Sequence, residues 1–137
     1  MMGQGTSTDA DGVARVEAAR QRWANAFNAA DLRGLLTLYD PAAVLWGTTS
    51  PVLIDTPEGI ATYFERTFSA QPAPRVHLGE ARIRLLGDEV ALCSGAYTLY
   101  LSGPAGEART LPARFSLAYR RLGDRWLIMD HHSSVSP

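Results

Sequence analysis

The spacing of apolar residues changes once along this chain, near Arg75, and that change restricts the fold more than any other feature. Upstream, apolar residues recur every three or four positions; downstream they alternate. Helices therefore come first and a sheet last, which gives helices on one side of an antiparallel sheet, the α+β class. Four strands are expected, at residues 75–86, 89–101, 108–121 and 125–135, with short turns at Gly87-Asp88 and Leu122-Gly123-Asp124. In the first strand the apolar phase slips at Gly79, from Val76 and Leu78 to Ala81, Ile83 and Leu85. In the second it slips at Gly95, between Val90/Leu92 and Tyr97/Leu99/Leu101. A slip at glycine is how a β-bulge reads in sequence, and bulges bend strands. The sheet is expected to curl strongly and to close like a cone over its concave face.

Three helices are expected before it. Ser7, Thr8, Asp9 and Asp11 can cap a first long helix whose inner stripe is Val13, Val16, Trp23, Phe27 and Ala30. Asp31 can cap a second, with Leu32, Leu35, Leu36 and Tyr39 inward, stopped at Asp40-Pro41 because proline disfavours helical geometry before it. After a short strand at residues 43–46 and a loop or irregular strand at 47–55, Thr56-Pro57-Glu58 has the cap, proline and acid of a helix start, with Ile60, Tyr63, Phe64 and Phe68 behind it. Residues 1–10, polar and small, are expected to be a disordered lead-in; residues 11–137 form one domain.

A chain of 137 residues can bury about 68–70% of its unfolded surface without a metal or disulfide staple. Its net charge of −1, from 13 basic and 14 acidic residues, leaves no cationic surplus for a phosphate backbone, so nucleic acid is not an expected partner. No long apolar stretch or leader pattern points to a membrane. The lone Cys93, in the apolar run Val90-Ala91-Leu92-Cys93, reads as a buried thiol in a reducing, cytoplasmic setting.

Counting back from a three-residue turn pairs Arg121 with Arg125, Ser116 with Asp130 and Arg114 with His132. One face then carries Arg114, Ser116, Ala118, Ile128, Asp130, His132 and Ser134; the other carries Phe115, Leu117, Tyr119, Leu127, Met129 and His131. Arg114 offers a fork for a carboxylate or enolate oxygen, and Asp130 with His132 can hold or move a proton near neutral pH. Ser116 and Ser134 are small enough to leave room above them. A solvated Arg–Asp pair beside a surface histidine is the alternative reading of the same pattern. His131 and His132, adjacent on a strand, point to opposite faces and cannot chelate one metal, so no metal is expected. Trp46, Tyr39, Tyr63, Phe27 and Tyr97 could wall a cavity between helices and sheet, or be ordinary core. Neither a phosphate-cradling glycine loop nor a nucleophile elbow is present, and no cofactor is expected.

Across almost all of residues 11–137 the chain resembles the nuclear transport factor two-like, or cystatin-like, superfamily. The resemblance rests on the helix-then-strand order, on Val44-Leu45-Trp46-Gly47-Thr48, on Pro112-Ala113-Arg114-Phe115, and on the ending from Trp126 to Ser134. Within it the chain is similar to bacterial SnoaL-like proteins and to the association (hub) domain of calcium/calmodulin-dependent protein kinase type II. The hub resemblance implies self-assembly and a pocket in which arginines hold an acidic ligand; Arg114 matches one such arginine, and Ser133 stands where another would be. The SnoaL resemblance implies an acid/base aspartate, for which Asp130 is the candidate.

Three functions follow as expectations. The first is a homodimeric domain binding a small carboxylate or ketone through Arg114, Trp46, Tyr63, Tyr97, Tyr39, Ser116, Ser134 and His131. The second is a cofactor-free isomerase or cyclase with Asp130 and His132 as catalytic acid and base. The third is a purely structural hub.

Overall fold

The computed structural model describes residues 2–137, with side chains from Asp9 onward. In chain order it contains α1 (Met2–Asn28), α2 (Leu32–Leu36), β1 (Tyr39–Trp46), α3 (Pro57–Phe68), β2 (Arg75–Leu86), β3 (Val90–Ser102), β4 (Ala108–Leu122) and β5 (Arg125–Val135). The five strands form one curved sheet in the order β1-β5-β4-β3-β2. The helices cover its concave face, where Val16, Trp23 and Phe27 of α1, Leu35 of α2 and Phe64 of α3 meet Ala91, Cys93, Tyr97, Phe115, Leu117 and Tyr119 in one apolar core.

Local chemistry explains the helix starts. The Asp31 carboxylate accepts the Gly34 amide at 3.0 Å, and the Thr56 hydroxyl accepts that of Gly59 at 3.0 Å with Pro57 in the first turn, each satisfying an amide that the helix itself cannot. α1 begins at Met2, ahead of the caps expected at residues 7–11, so residues 2–10 are helical rather than an irregular lead-in; Met1 lies outside the described residues. At its other end Ala30, expected on the inner stripe, is exposed and has φ +50° in the turn to α2.

Three strand expectations change. α2 stops at Leu36, because Tyr39 is already the first residue of β1, which pairs in parallel with β5; the sheet is antiparallel everywhere else. Pro41 falls in the irregular stretch between Tyr39 and Val44, on an edge strand, where a missing N–H costs no ladder bond. The expected bulge at Gly79 is present, between Leu78 and Ala81. β3, by contrast, keeps one phase against β4 from end to end. Ala91, Cys93, Tyr97 and Leu99 face the core, and Val90 faces out. Gly95 serves close approach instead, since a Cβ there would lie 2.6 Å from the Glu80 carbonyl oxygen and 2.9 Å from Phe115.

Each edge strand is met once by a local partner. On β1, Leu45 exchanges both backbone hydrogen bonds with Ile54, at 2.8 and 2.9 Å. On β2, the Asn28 side-chain amide donates to the Val76 carbonyl at 3.0 Å and its oxygen accepts the Val76 amide at 2.7 Å. Arg120 of β4 reaches across β5 to fork onto Asp40 Oδ2 of β1, at 2.6 and 3.2 Å. Burial pushes the Asp40 carboxyl up, but the Ala42 amide and the Arg120 guanidinium outweigh it and hold the group below its ordinary range.

Candidate functional site

The β4–β5 hairpin decides which side chains reach the interior. Its turn is one residue tighter than expected, with Leu122 opposite Arg125, and this alone would put the expected pairs out by one. A bulge at Met129 then adds one residue to β5, so that Tyr119 faces Ile128 while Ala118 faces Asp130. Beyond the bulge Ser116 lies opposite His132 and Arg114 opposite Ser134. Arg114, Ser116, Asp130, His132 and Ser134 therefore do share a face, but Ile128 has moved to the other one, packed in the core.

That shared face is the outer one. Arg114, Ser116, Asp130 and His132 are exposed, so the site expected of them does not lie in the hollow between helices and sheet. Arg114, Ser116, His132 and Ser134 line a shallow groove on the outside of the sheet, where Arg114 Nε donates to Ser134 Oγ at 3.4 Å; Asp130 stands apart from it. Trp46 is outside as well, 42% exposed and tilted over the His132 ring.

The hollow holds a different set. A cavity of about 270 Å³ lies between α1, α3 and the concave side of β3 and β5. Its walls are apolar: Trp23 and Phe27 from α1, Tyr63 and Phe64 from α3, and Leu99, Leu101 and Leu111 from the sheet. Trp23 stacks on Phe27 and Tyr97, with centroids 5.1 and 5.9 Å away. Gly47 has no side chain because Tyr63 occupies the place a Cβ would take, which brings the tyrosine ring over the cavity. The exposed lining residues Thr49, Arg66 and Ala70 mark the mouth, and Arg66 is the one charged residue among those lining it.

One end of the cavity is polar. Tyr97, His131, Ser133 and Thr48 line it, with Tyr39 behind. His131 sits between two tyrosines, its Nδ1 2.9 Å from the Tyr39 hydroxyl and its Nε2 3.2 Å from that of Tyr97. The Trp23 indole donates to Tyr39 at 3.0 Å, Tyr97 donates to Ser133 at 2.7 Å, and Ser133 shares a short hydrogen bond with Thr48. Burial, with a smaller contribution from the charge of His132, pushes the His131 pKa down to about 3, so the ring is neutral. Burial likewise pushes the Tyr39 and Tyr97 hydroxyls well above their ordinary range. Near pH 7 these groups keep their neutral forms and can offer neutral hydrogen bonds at this end of the cavity.

Of the expected ligand-binding residues, Tyr63, Tyr97 and His131 line the cavity and Tyr39 supports it, whereas Arg114, Ser116, Ser134 and Trp46 do not. Trp23, Thr48, Ser133 and Arg66 were missed. The signal for Ser133 was present, because it lies two residues beyond His131 and hence on the same side of the strand. Among the described residues no group of three His, Cys, Asp or Glu side chains could hold a metal ion, and no helix is long and apolar enough to cross a membrane.

Over residues 12–137 the chain matches the family described as calcium/calmodulin dependent protein kinase II association domain. Among solved structures it is similar to a Xanthomonas campestris protein described as such an association domain, with 31% identity, a TM-score of 0.81 and coverage of 89% of this chain and 86% of the other. The hub homology domain from Chlamydamonas reinhardtii is 20% identical, with a TM-score of 0.75 over 91% of this chain and 98% of that one. A Caulobacter vibrioides protein with a cystatin-like fold is 13% identical, with a TM-score of 0.80 over 93% and 91%. The last two share the fold. A search among curated proteins finds no match.

Proposed function

Because this chain belongs to the calcium/calmodulin dependent protein kinase II association domain family, we propose that it is a self-associating domain that holds a small molecule between its helices and its sheet. The observation that carries the binding half is the cavity itself: about 270 Å³ of space with apolar walls and one hydrogen-bonding end. That combination is what ligand pockets have in common, and this one is slightly smaller than their usual range. Arg66, the one charged residue lining the cavity, stands at its mouth and away from the hydrogen-bonding end.

The self-association half is supported by the outer sheet face. It exposes Trp46 at 42%, beside the His132 end of the shallow groove, and carries Val90 at 38% and Tyr100 at 46% towards the two ends of β3. Large aromatic and aliphatic side chains beside arginine are the composition of interface cores, and a twofold contact would bury this face against its copy. The isomerase reading loses support, since Asp130 and His132 stand outside and His131 is held neutral.

Sedimentation velocity with Trp46→Glu tests the assembly: a dimer is expected for the natural chain and a monomer for the variant, and a monomeric natural chain would refute it. A thermal-shift screen of small ketones and aromatic carboxylates, repeated with Tyr63→Trp to fill the cavity, tests binding. A ligand stabilising both chains alike would place it elsewhere.

A further inference from the structure

The polar end of the cavity is a row of groups whose protons can be counted. An indole N–H only donates, a hydroxyl has one proton, and a neutral imidazole has one donor and one acceptor nitrogen. Trp23 donates to Tyr39, so the Tyr39 proton must turn away from the indole, and His131 Nδ1, 2.9 Å distant, is its other partner among the described residues. Nδ1 is then the acceptor and the imidazole proton sits on Nε2, facing the Tyr97 oxygen at 3.2 Å. Tyr97 sends its proton to Ser133. Ser133 and Thr48 are bonded to each other, and that bond uses one of their two protons; within the protein the other has only the Tyr97 oxygen to turn to, which Thr48 approaches and which already faces His131 Nε2. The opposite arrangement, with the proton on Nδ1, would leave the Tyr39 proton buried without an acceptor.

We propose that Trp23, Tyr39, His131, Tyr97, Ser133 and Thr48 form one directed chain of hydrogen bonds, set by the Trp23 indole, whose last hydroxyl proton is left for the carbonyl oxygen of a neutral ligand. The ligand class rests on the cavity reading above; the direction of the chain does not. A carboxylate would be poorly placed here. The ring of His131 is uncharged, Arg66 is out at the mouth, and Arg20, behind Tyr97 and His131, is already bound to Glu17 at 2.9 and 3.0 Å. An anion at this end would lose its water for one neutral hydrogen bond. Trp23 touches the ligand space only with its ring; through Tyr39 it acts on the hydrogen-bonding end as a positioning residue.

Long-range proton–nitrogen NMR on histidine-labelled protein reads the chain directly. His131 is expected as a single Nε2–H tautomer, and Trp23→Phe, which removes the donor from the Tyr39 oxygen and leaves room beside it for a water to take the Tyr39 proton, is expected to populate the Nδ1–H form. An Nδ1–H ring in the natural protein overturns the proposal, and this measurement decides even should the variant not fold. Calorimetry with acetophenone, ethylbenzene and benzoate reads the ligand class. Acetophenone is expected to bind about five- to tenfold more tightly than ethylbenzene, the worth of one neutral hydrogen bond, with benzoate weaker than the ketone. Ser133→Ala combined with Thr48→Val should erase the ketone's advantage. Benzoate binding as tightly as acetophenone overturns the ligand class. If none of the three binds, the cavity reading fails and takes the ligand class with it, while the tautomer still judges the chain by itself.

Discussion

His131 and His132 are neighbours in β5 whose rings lie on opposite sides of the sheet, the first 5% exposed between two tyrosines and the second out in solvent beside Trp46. The buried one couples protonation to folding. Unfolded, His131 takes up a proton near its ordinary value of 6.5; folded, it resists down to about 3. Between these values the unfolded chain holds more protons, so stability is full above pH 6.5 and declines as the pH falls toward 3. The loss should be on the order of a few kcal/mol, the linkage energy of a shift of this size. Asp40, also depressed, adds to the decline at the acid end of the window. Urea titrations at a series of pH values should show the slope, and His131→Phe should flatten it. An equal slope in that variant would assign the effect elsewhere.

Arg114→Ala should leave ligand affinity in the cavity unchanged, because the guanidinium lies on the outer face with Ser134 as its partner. It should instead alter dimer dissociation, as arginines are enriched at interfaces. Weaker ligand binding with unchanged sedimentation would contradict this placement.

Gly95→Val should be costly. Its Cβ would meet the Glu80 carbonyl oxygen at 2.6 Å and Ala81 and Phe115 at 2.9 Å, and neither the bulge backbone nor a packed ring yields easily. Overpacking of this kind costs about 1–3 kcal/mol, to be read from the denaturation midpoint at unchanged m-value.

Asn28→Ala removes both hydrogen bonds that pin Val76 to the end of α1. A loss of about 1–3 kcal/mol is expected, with faster hydrogen exchange at the Val76 amide than at Cys93 in the middle of the sheet. Uniform acceleration along β2 and β3 would mean that the clamp acts on the whole fold.

The features that sequence reveals here are those with local causes. Asp31, Thr56-Pro57 and Gly79 act within a few residues of themselves, and caps and bulge fall where expected. Met129 offers no such cue: the run Trp126 to Met129 is apolar throughout, so nothing marks where β5 gains a residue. The two misjudgements in that hairpin, turn and bulge, cancel in parity, which is why Arg114 and His132 keep a common face. Which face it is depends on where α1 packs, and alternation alone does not say. Val90 and Leu92 misled for a related reason, since an outer face that also carries apolar residues imitates a change of phase. The polar end of the cavity was the least legible, because Tyr39, Tyr97 and His131 are joined by contacts spanning 92 and 34 residues. Their aromatic character could be seen; their partnership could not.

The two edge clamps bear on how copies of this chain can meet. A sheet grows into a neighbouring molecule by offering free N–H and C=O groups along its outermost strands. At Leu45 those groups are taken by Ile54, and at Val76 by Asn28. Runaway fibre-like stacking is interrupted at one point on either rim, and the self-contact proposed above falls to the broad flank of the sheet, where contact can be finite and closed.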